Sequence, residues 1–475
     1  MSSCCGGASR AEPRAEASAG TSRLPVAVIG GGPVGLAAAA HLLARGLEPV
    51  ILEAGPSVGT APLDWGHVPM FSPWRYNLDR AAGALLERHG WTAPEAEEFP
   101  TGRDLVERYL KPLAALPDIA TRLRLNTRVT GIARLGAGKL RNAGREQQPF
   151  ELRFIGADGR ARRLLASAVI VASGTWGSPS PAGASGLPAI GEREAADRIR
   201  YGMPDILGTD HGRYGGRRTL VVGSGHSAIG TLLDLGRLAR QVPGTAVLWA
   251  TRSADLTRAY GGGSADQLPE RGALGQRLRH LVESGAIELL APFSVDEIRR
   301  TEGGALTVQS AEGPAVEADE LVVATGLRPD LGILREVRTD LDPALECPRM
   351  LAPLIDPNLH SCGTVRPHGA EELAQPDTGL FLAGMASYGR APTFLLATGY
   401  EQVRSIAAFL AGDVAAARRV ELDLPQTGVC SSDRLLPAAT ETGSSCCTPK
   451  PAPAADAPCC GSQARLGVAQ VEPAE

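Results

Sequence analysis

A chain of 475 residues with a net charge of −4 and 43% apolar side chains is long enough for two or three domains with sizeable cores. Its near-balanced charge offers nothing to a nucleic acid or an acidic membrane surface, and no run approaches the roughly eighteen apolar residues of a spanning helix. Residues 1–10 lack the apolar stretch of a signal peptide, which points to a cytoplasmic protein whose nine cysteines stay reduced unless they have redox or metal work.

In chain order, residues 1–23 are small, polar and rich in alanine, and read as a disordered tail. The apolar run Val26–Ile29 then enters a turn with Gly30, Gly32 and Gly35 that opens a helix-like stretch. Gly30 permits the tight turn, Gly32 lets the backbone approach a pyrophosphate, and Gly35 lets helix pack on strand. A phosphate at that point lies against the N–H groups of a helix N-terminus. Val50–Leu52 reads as the next strand and ends in Glu53, eighteen residues beyond Gly35, suited to a ribose hydroxyl pair. The following stretch holds Trp65, His67 and Trp74, which either shape a substrate cavity or simply pack. Strand-like runs follow at Leu123–Ile132, Phe150–Ile155 and Ala168–Ala172, the last leading to Gly174.

A second glycine turn follows the run Thr219–Val222, with Gly223, Gly225 and, in the third position, Ala228. His226 lies inside it and reads as a cofactor contact or a helix-end residue. The next strand, Ala246–Ala250, ends in Thr251 and Arg252 and not in an acid. A carboxylate there would repel a 2′-phosphate, whereas Arg252 can meet one with a charge-assisted hydrogen bond, so NADPH is favoured over NADH. Asp319–Val323 ends in the small-residue turn Ala324, Thr325 and Gly326, which matches the turn at 172–174. Residues 176–320 therefore read as a second dinucleotide-binding domain inserted between the two parts of the first, 24–175 and 321–425. In the second part, Gly379–Gly384 reads as a short buried strand and Leu395–Phe409 as a helix whose N-terminus favours a negatively charged reduced flavin. Arg390 is a candidate anion or nicotinamide contact beside that helix, with Tyr400 near it. The expected architecture is α/β, with two Rossmann-like domains built on parallel sheets.

Seven cysteines fall in the expected tails: the vicinal pairs Cys4 and Cys5, Cys446 and Cys447, and Cys459 and Cys460, with Cys430 beside them. Residues 426–475 are rich in Pro, Ala, Ser, Thr and Cys and read as a disordered tail. Thiolates converging from such segments can capture a thiophilic metal or metalloid; a redox relay and tail cysteines of no consequence are the alternatives. The spacing is not that of a zinc site. Cys347 and Cys362 lie in the last core segment, where buried packing is expected.

The two turns with Glu53 and Arg252, the 324–326 turn and the Leu382–Gly384 strand end resemble the two-dinucleotide flavoproteins, and within them the flavin-containing monooxygenase-like group, over about residues 24–420. Phe99–Leu110 also looks like the segment such enzymes place after their first βαβ unit. The resemblance implies FAD on the first turn and NADPH on the second. It further implies that O2 forms a flavin C4a-(hydro)peroxide which passes one oxygen to a small-molecule soft nucleophile: nitrogen, sulfur or a trivalent metalloid. The cofactor then carries the hard chemistry. The Phe-x-Gly-x3-His motif of well-known members is not found before the second turn, and no Cys-x2-Cys or Cys-x4-Cys pair lies near either turn. The tail pairs resemble the C-terminal pair of mercuric reductase, and the whole is similar to flavoproteins encoded with bacterial arsenic-resistance genes. Two rivals stand beside the oxygenase: an NADPH-dependent metal, metalloid or thiol reductase using the tail cysteines, and a metal-binding flavoprotein with little turnover.

Overall fold

The computed structural model describes residues 24–261, 269–359, 365–392 and 394–422. The two expected tails with their seven cysteines, and Cys362, lie outside these residues.

Sixteen strands are formed by the described residues. The first half contributes β1 (Val26–Ile29), β2 (Pro49–Leu52), β3 (Leu123–Arg124), β4 (Arg128–Arg134), β5 (Phe150–Ile155), β6 (Ala161–Ala166) and β7 (Ala168–Val171). Next come β8 (Ile199–Tyr201), β9 (Arg218–Val222), β10 (Ala246–Ala250), β11 (Glu288–Leu290), β12 (Val295–Arg300), β13 (Leu306–Ser310), β14 (Val316–Ala318), β15 (Glu320–Val323) and β16 (Leu380–Leu382). Two five-stranded parallel sheets result, β16-β7-β1-β2-β3 and β8-β15-β9-β10-β11. Each is accompanied by a three-stranded antiparallel sheet, β4-β5-β6 and β12-β13-β14.

The two halves thus repeat one plan, with β1, β2, β3 and β7 matched by β9, β10, β11 and β15. The fifth strand differs in chain position: β16 comes after the rest of its sheet and β8 before. The parallel strands are near-continuous apolar runs because both faces are covered. In β1, Val26 and Val28 face a core that contains the helix α1 (Pro33–Ala44), and Ala27 and Ile29 face the core shared with β4, β5 and β6. In β9, Val221 faces the core of the helices α4 (His226–Gln241) and α5 (Pro269–Glu283), and Leu220 and Val222 face β12 and β13. Between α1 and α4 lie α2 (Thr60–Asp64) and α3 (Arg80–Glu87), and α6 (Leu396–Leu410) runs near the end of the described chain.

Two expectations are corrected. The run Leu123–Ile132 is not one strand: Asn126 takes a left-handed φ of 50°, and its N–H and that of Thr127 bond to the carbonyls of Gly55 and Glu53. The break sends β3 to the first parallel sheet and β4 to the antiparallel one. The boundary expected at residue 320 also falls inside β15, whose register against β9 and β8 keeps Glu320–Val323 in the second sheet. Beyond it the two connectors pair with each other, Ser180 N–H to the Gly326 carbonyl and Arg328 N–H to that of Ser178, at 2.9 Å each.

Candidate dinucleotide sites

The first glycine turn leaves β1 and enters α1. Gly30 has φ of 112°, and a Cβ on it would stand 2.5 Å from the Ala172 carbonyl oxygen, so no side chain fits between β1 and β7. A Cβ on Gly35 would press into the carbonyl oxygen of Gly30. Gly32 is the contrast: it caps α1 without a side-chain hydrogen bond, and a Cβ there meets nothing within 4 Å. The space is open where the first-turn N–H groups of α1 have no intrahelical partner, which is the arrangement a pyrophosphate requires. Pro33, at the first helical position, has no N–H to satisfy there. Glu53 closes the turn from the end of β2, its Oε2 accepting from Gly31 N–H at 2.6 Å and its Oε1 from Gly55 N–H at 2.7 Å.

The turn after β16 meets the first one. A Cβ on Gly384 or on Gly399 would crowd the Val34 side chain, so the end of β16 and the start of α6 both approach the N-terminal turn of α1. Gln402, one helical turn past Gly399, is fully buried. Its Oε1 accepts from Gly384 N–H at 2.7 Å, and its Nε2 donates to Ser387 Oγ at 2.9 Å and to His368 Nε2 at 2.8 Å. His368 Nδ1–H then donates to the Arg366 carbonyl at 3.0 Å, which fixes the neutral tautomer. Burial pushes the His368 imidazole down from its usual range, against the Arg366 carbonyl bond.

The second turn repeats the first with two changes. Gly223 has φ of 129°, a Cβ on it would press into the Ala324 carbonyl, and its own carbonyl accepts from Trp249 Nε1 at 2.7 Å. Gly225 caps α4 without a side-chain bond, and a Cβ on it again meets nothing within 4 Å. Ala228 takes the place of the third glycine and is fully buried. At the end of β10 the counterpart of Glu53 is absent, and the exposed Arg252 lies near the 184 loop, its Nη1 donating to the Ala184 carbonyl at 3.0 Å.

Residues 24–366 match the family model described as pyridine nucleotide-disulphide oxidoreductase. The chain belongs to this family. Members of the pyridine nucleotide-disulphide oxidoreductases work with FAD and NAD(P)H, and this one is a flavin-dependent oxidoreductase. It is similar to indole-3-pyruvate monooxygenase YUCCA1 of Oryza sativa subsp. japonica, 28% identical over 216 residues that make up 44% of each chain. The chain thus spans less than half the length of that curated relative. Among solved structures it resembles the bacillithiol disulfide reductase Bdr (YpdA) of Bacillus cereus, with a TM-score of 0.59 and 18% identity over 82% of this chain and 99% of that one. It also resembles the cadaverine monooxygenase DfoA of Erwinia amylovora bound to FAD, with a TM-score of 0.56 and 15% identity over 89% and 100%. Both likenesses are likenesses of fold.

In this oxidoreductase the remaining expected residues divide. Ala324 lines the second turn, Thr325 Oγ1 donates into the connector at the Ser180 and Pro181 carbonyls, and Gly326 has φ of 104°. Arg390 pairs with Glu346 Oε1 at 2.9 Å, so its charge is already engaged. Tyr400, expected near the flavin edge, is a core residue whose hydroxyl donates to the Asn77 carbonyl at 2.8 Å. Trp74 is fully buried and serves packing, and Trp65 lies over Gly102, where a Cβ would meet its ring. His226 stands beside the Phe71 ring. Cys347 is the one cysteine among the described residues; it is fully buried, and burial with the nearby Asp342 pushes its thiol up to about 12. No group of three His, Cys, Asp or Glu side chains placed to hold a metal occurs among the described residues. None of their helices is long and apolar enough to cross a membrane. Gln402, His368 and Ser387 were not anticipated. The one local signal was a polar residue on the face of α6 that also carries Gly399, Val403 and Ile406.

Proposed function

We propose that this flavoprotein is an NADPH-dependent monooxygenase that places one oxygen atom on a soft nucleophile: nitrogen, sulfur or a trivalent metalloid such as arsenic(III). The observation that carries the reading is the pairing of two open dinucleotide turns with the likeness to a monooxygenase, YUCCA1. In this reading the electrons delivered to the flavin pass to O2, and Cys347, buried and hard to ionise, takes no part. The overall balance is NADPH, H⁺, O2 and substrate giving NADP⁺, water and oxygenated substrate.

FAD supplies the redox chemistry when bound. The chain supplies the rest: Gly32 and the N-terminus of α1 receive the pyrophosphate, and Glu53 is oriented by Gly31 and Gly55 to take ribose hydroxyls. Gln402 holds the Gly384 turn against Val34, and the N-terminus of α6 favours the negative charge of the reduced ring. Gly225 and the N-terminus of α4 receive the second pyrophosphate, with Arg252 reading the 2′-phosphate.

A second reading, an NADPH-dependent reductase of a thiol, metal or metalloid, is favoured by the vicinal cysteines at 446–447 and 459–460 and by the family's own description. Oxygen uptake with NADPH, with and without trivalent arsenic or antimony, separates the two. Substrate-stimulated uptake with a pentavalent product supports the oxygenase. Anaerobic NADPH oxidation with an oxidised acceptor, a disulfide or mercuric ion, and no substrate-stimulated oxygen uptake refutes it and supports the reductase, and negligible NADPH oxidation with tight metal binding refutes both.

A further inference from the structure

Residues 59–71 run from one glycine turn to the other. At the root, Gly59 N–H donates to the Gly31 carbonyl at 3.0 Å, inside the first turn. The stretch is then tied to the backbone around residue 101: Met70 N–H to the Pro100 carbonyl at 2.8 Å, Gly102 N–H to that of Val68 at 3.1 Å, and Arg103 N–H to that of Gly66 at 3.0 Å. Trp65 fills the room that Gly102 leaves, since a Cβ there would stand 2.5 Å from its ring. These bonds fix residues 59–71 to the first unit as a rigid piece.

Its far side touches what lies beyond the first unit at two points. Asp64 Oδ2 accepts from Trp176 Nε1 at 2.9 Å, and Trp176 stands on the connector, with its ring against Gly202. The Phe71 ring lies 5.5 Å from that of His226, the first residue of α4, at a tilt of 36°. Two turns further along α4, burial raises the Asp234 carboxyl, and Arg237 and then His67 draw it back down, so His67 acts on that helix through its charge.

We infer that residues 59–71 are a positioning strap that sets the distance between the two dinucleotide turns, with Phe71 as its grip on α4 and Asp64 as its grip on the connector. The step served is transfer of a hydride, two electrons and a proton together, from the reduced nicotinamide, which is oxidised, to FAD, which is reduced. That step needs the reacting atoms at near contact, and a misplacement of about 1 Å costs on the order of a hundredfold. Neither residue is catalytic; both act through the placement of α4 and the connector. The inference rests on the assignment of the second turn to NADPH, and it holds for an oxygenase and a reductase alike because the step precedes any use of O2.

The test uses full-length holoenzyme carrying Phe71→Ala, Asp64→Asn or both. Anaerobic flavin reduction by saturating NADPH is followed by stopped flow, beside FAD content, NADP⁺ affinity by calorimetry and the thermal midpoint. The expected result is reduction slowed by roughly ten- to a hundredfold in the double variant, with FAD content, NADP⁺ affinity and midpoint close to wild type, and recovery in Phe71→Tyr. A double variant reduced within about twofold of the wild-type rate overturns the inference, a threshold well below that positioning effect. So does slowing that comes only with lost FAD or a lowered midpoint, which marks a merely structural role. Gly225→Ala separates the underlying assignment, because a Cβ there meets nothing within 4 Å in the fold and would crowd a bound pyrophosphate. NADP⁺ affinity unchanged in Gly225→Ala refutes the assignment and leaves the strap's own readouts to be judged separately.

Discussion

Replacing Gln402 by Leu removes the group that holds the late turn against the first dinucleotide site. Three buried partners lose their bonds: Gly384 N–H its acceptor, His368 Nε2 its donor, and Ser387 Oγ one donor while it keeps its own bond to the Gly384 carbonyl. A buried polar group left unsatisfied costs about 1–3 kcal/mol, and the leucine recovers on the order of 1 kcal/mol by apolar burial. The amide and the imidazole bear most of the loss, about 2–6 kcal/mol together, so the net cost is about 1–5 kcal/mol. The Gly384 turn contacts Val34 at the first turn of α1, so this cost appears as weakened FAD binding. At about 1.4 kcal/mol per decade, affinity falls by roughly 5- to 4,000-fold. The assay is titration of apoprotein with FAD by flavin fluorescence, with Gln402→Glu beside it. Glutamate keeps the acceptor for Gly384 and loses both donors, so an intermediate effect is expected. FAD affinity in Gln402→Leu within about twofold of wild type would refute the reasoning, because roughly 0.4 kcal/mol is too little for even one orphaned buried amide.

Arg252→Ala should raise the KM for NADPH by about 10- to 100-fold, the worth of one charged hydrogen bond, with NADH little affected; an equal change for both coenzymes removes the case for the 2′-phosphate. His368 is held neutral by burial, so the unfolded chain binds the extra proton. Its contribution is complete above the unfolded value near 6.5 and fades as pH falls below it. The thermal midpoint should therefore drop more steeply between pH 7 and 5 in wild type than in His368→Gln, and parallel curves would contradict this. Cys347 should resist alkylation in the folded protein at pH 8 and react on unfolding, as read by mass spectrometry of its peptide.

The glycine turns were legible because each requirement is local. A positive φ at Gly30 and Gly223, and a missing side chain at Gly32 and Gly225, are met within ten residues of the strands they follow. Glu53 was equally readable, as a carboxylate at a fixed distance from its turn. What stayed hidden was decided by distant partners. The apolar run at 123–132 gives no sign that Asn126 will turn left-handed, because the bonds that hold it there go to Gly55 and Glu53. Glu320–Val323 reads equally well as either domain until its pairing with β9 is seen. The Gln402, His368 and Ser387 set joins positions up to 34 residues apart, and no spacing rule links them. Arg390 and Tyr400 were placed by proximity in sequence to the late turn, and each instead has a partner that chain order does not suggest.

The order of strands also sets a timetable for synthesis. The second parallel sheet draws all its strands from Ile199 to Val323, so it can close as soon as that stretch has emerged. The first sheet must wait for β16, whose partner β7 ends 209 residues before it begins, at Val171 and Leu380. At about 5–20 residues per second of translation, that gap lasts roughly 10–40 s. For the last part of it, from Val323 to Leu380, the nascent chain carries a finished second unit and an open edge of β7 in an unfinished first unit. A cofactor held by the first glycine turn therefore finds a finished sheet only once β16 has emerged. Cells short of riboflavin should accumulate a species protease-resistant across 199–323 and cleavable within the flanking segments.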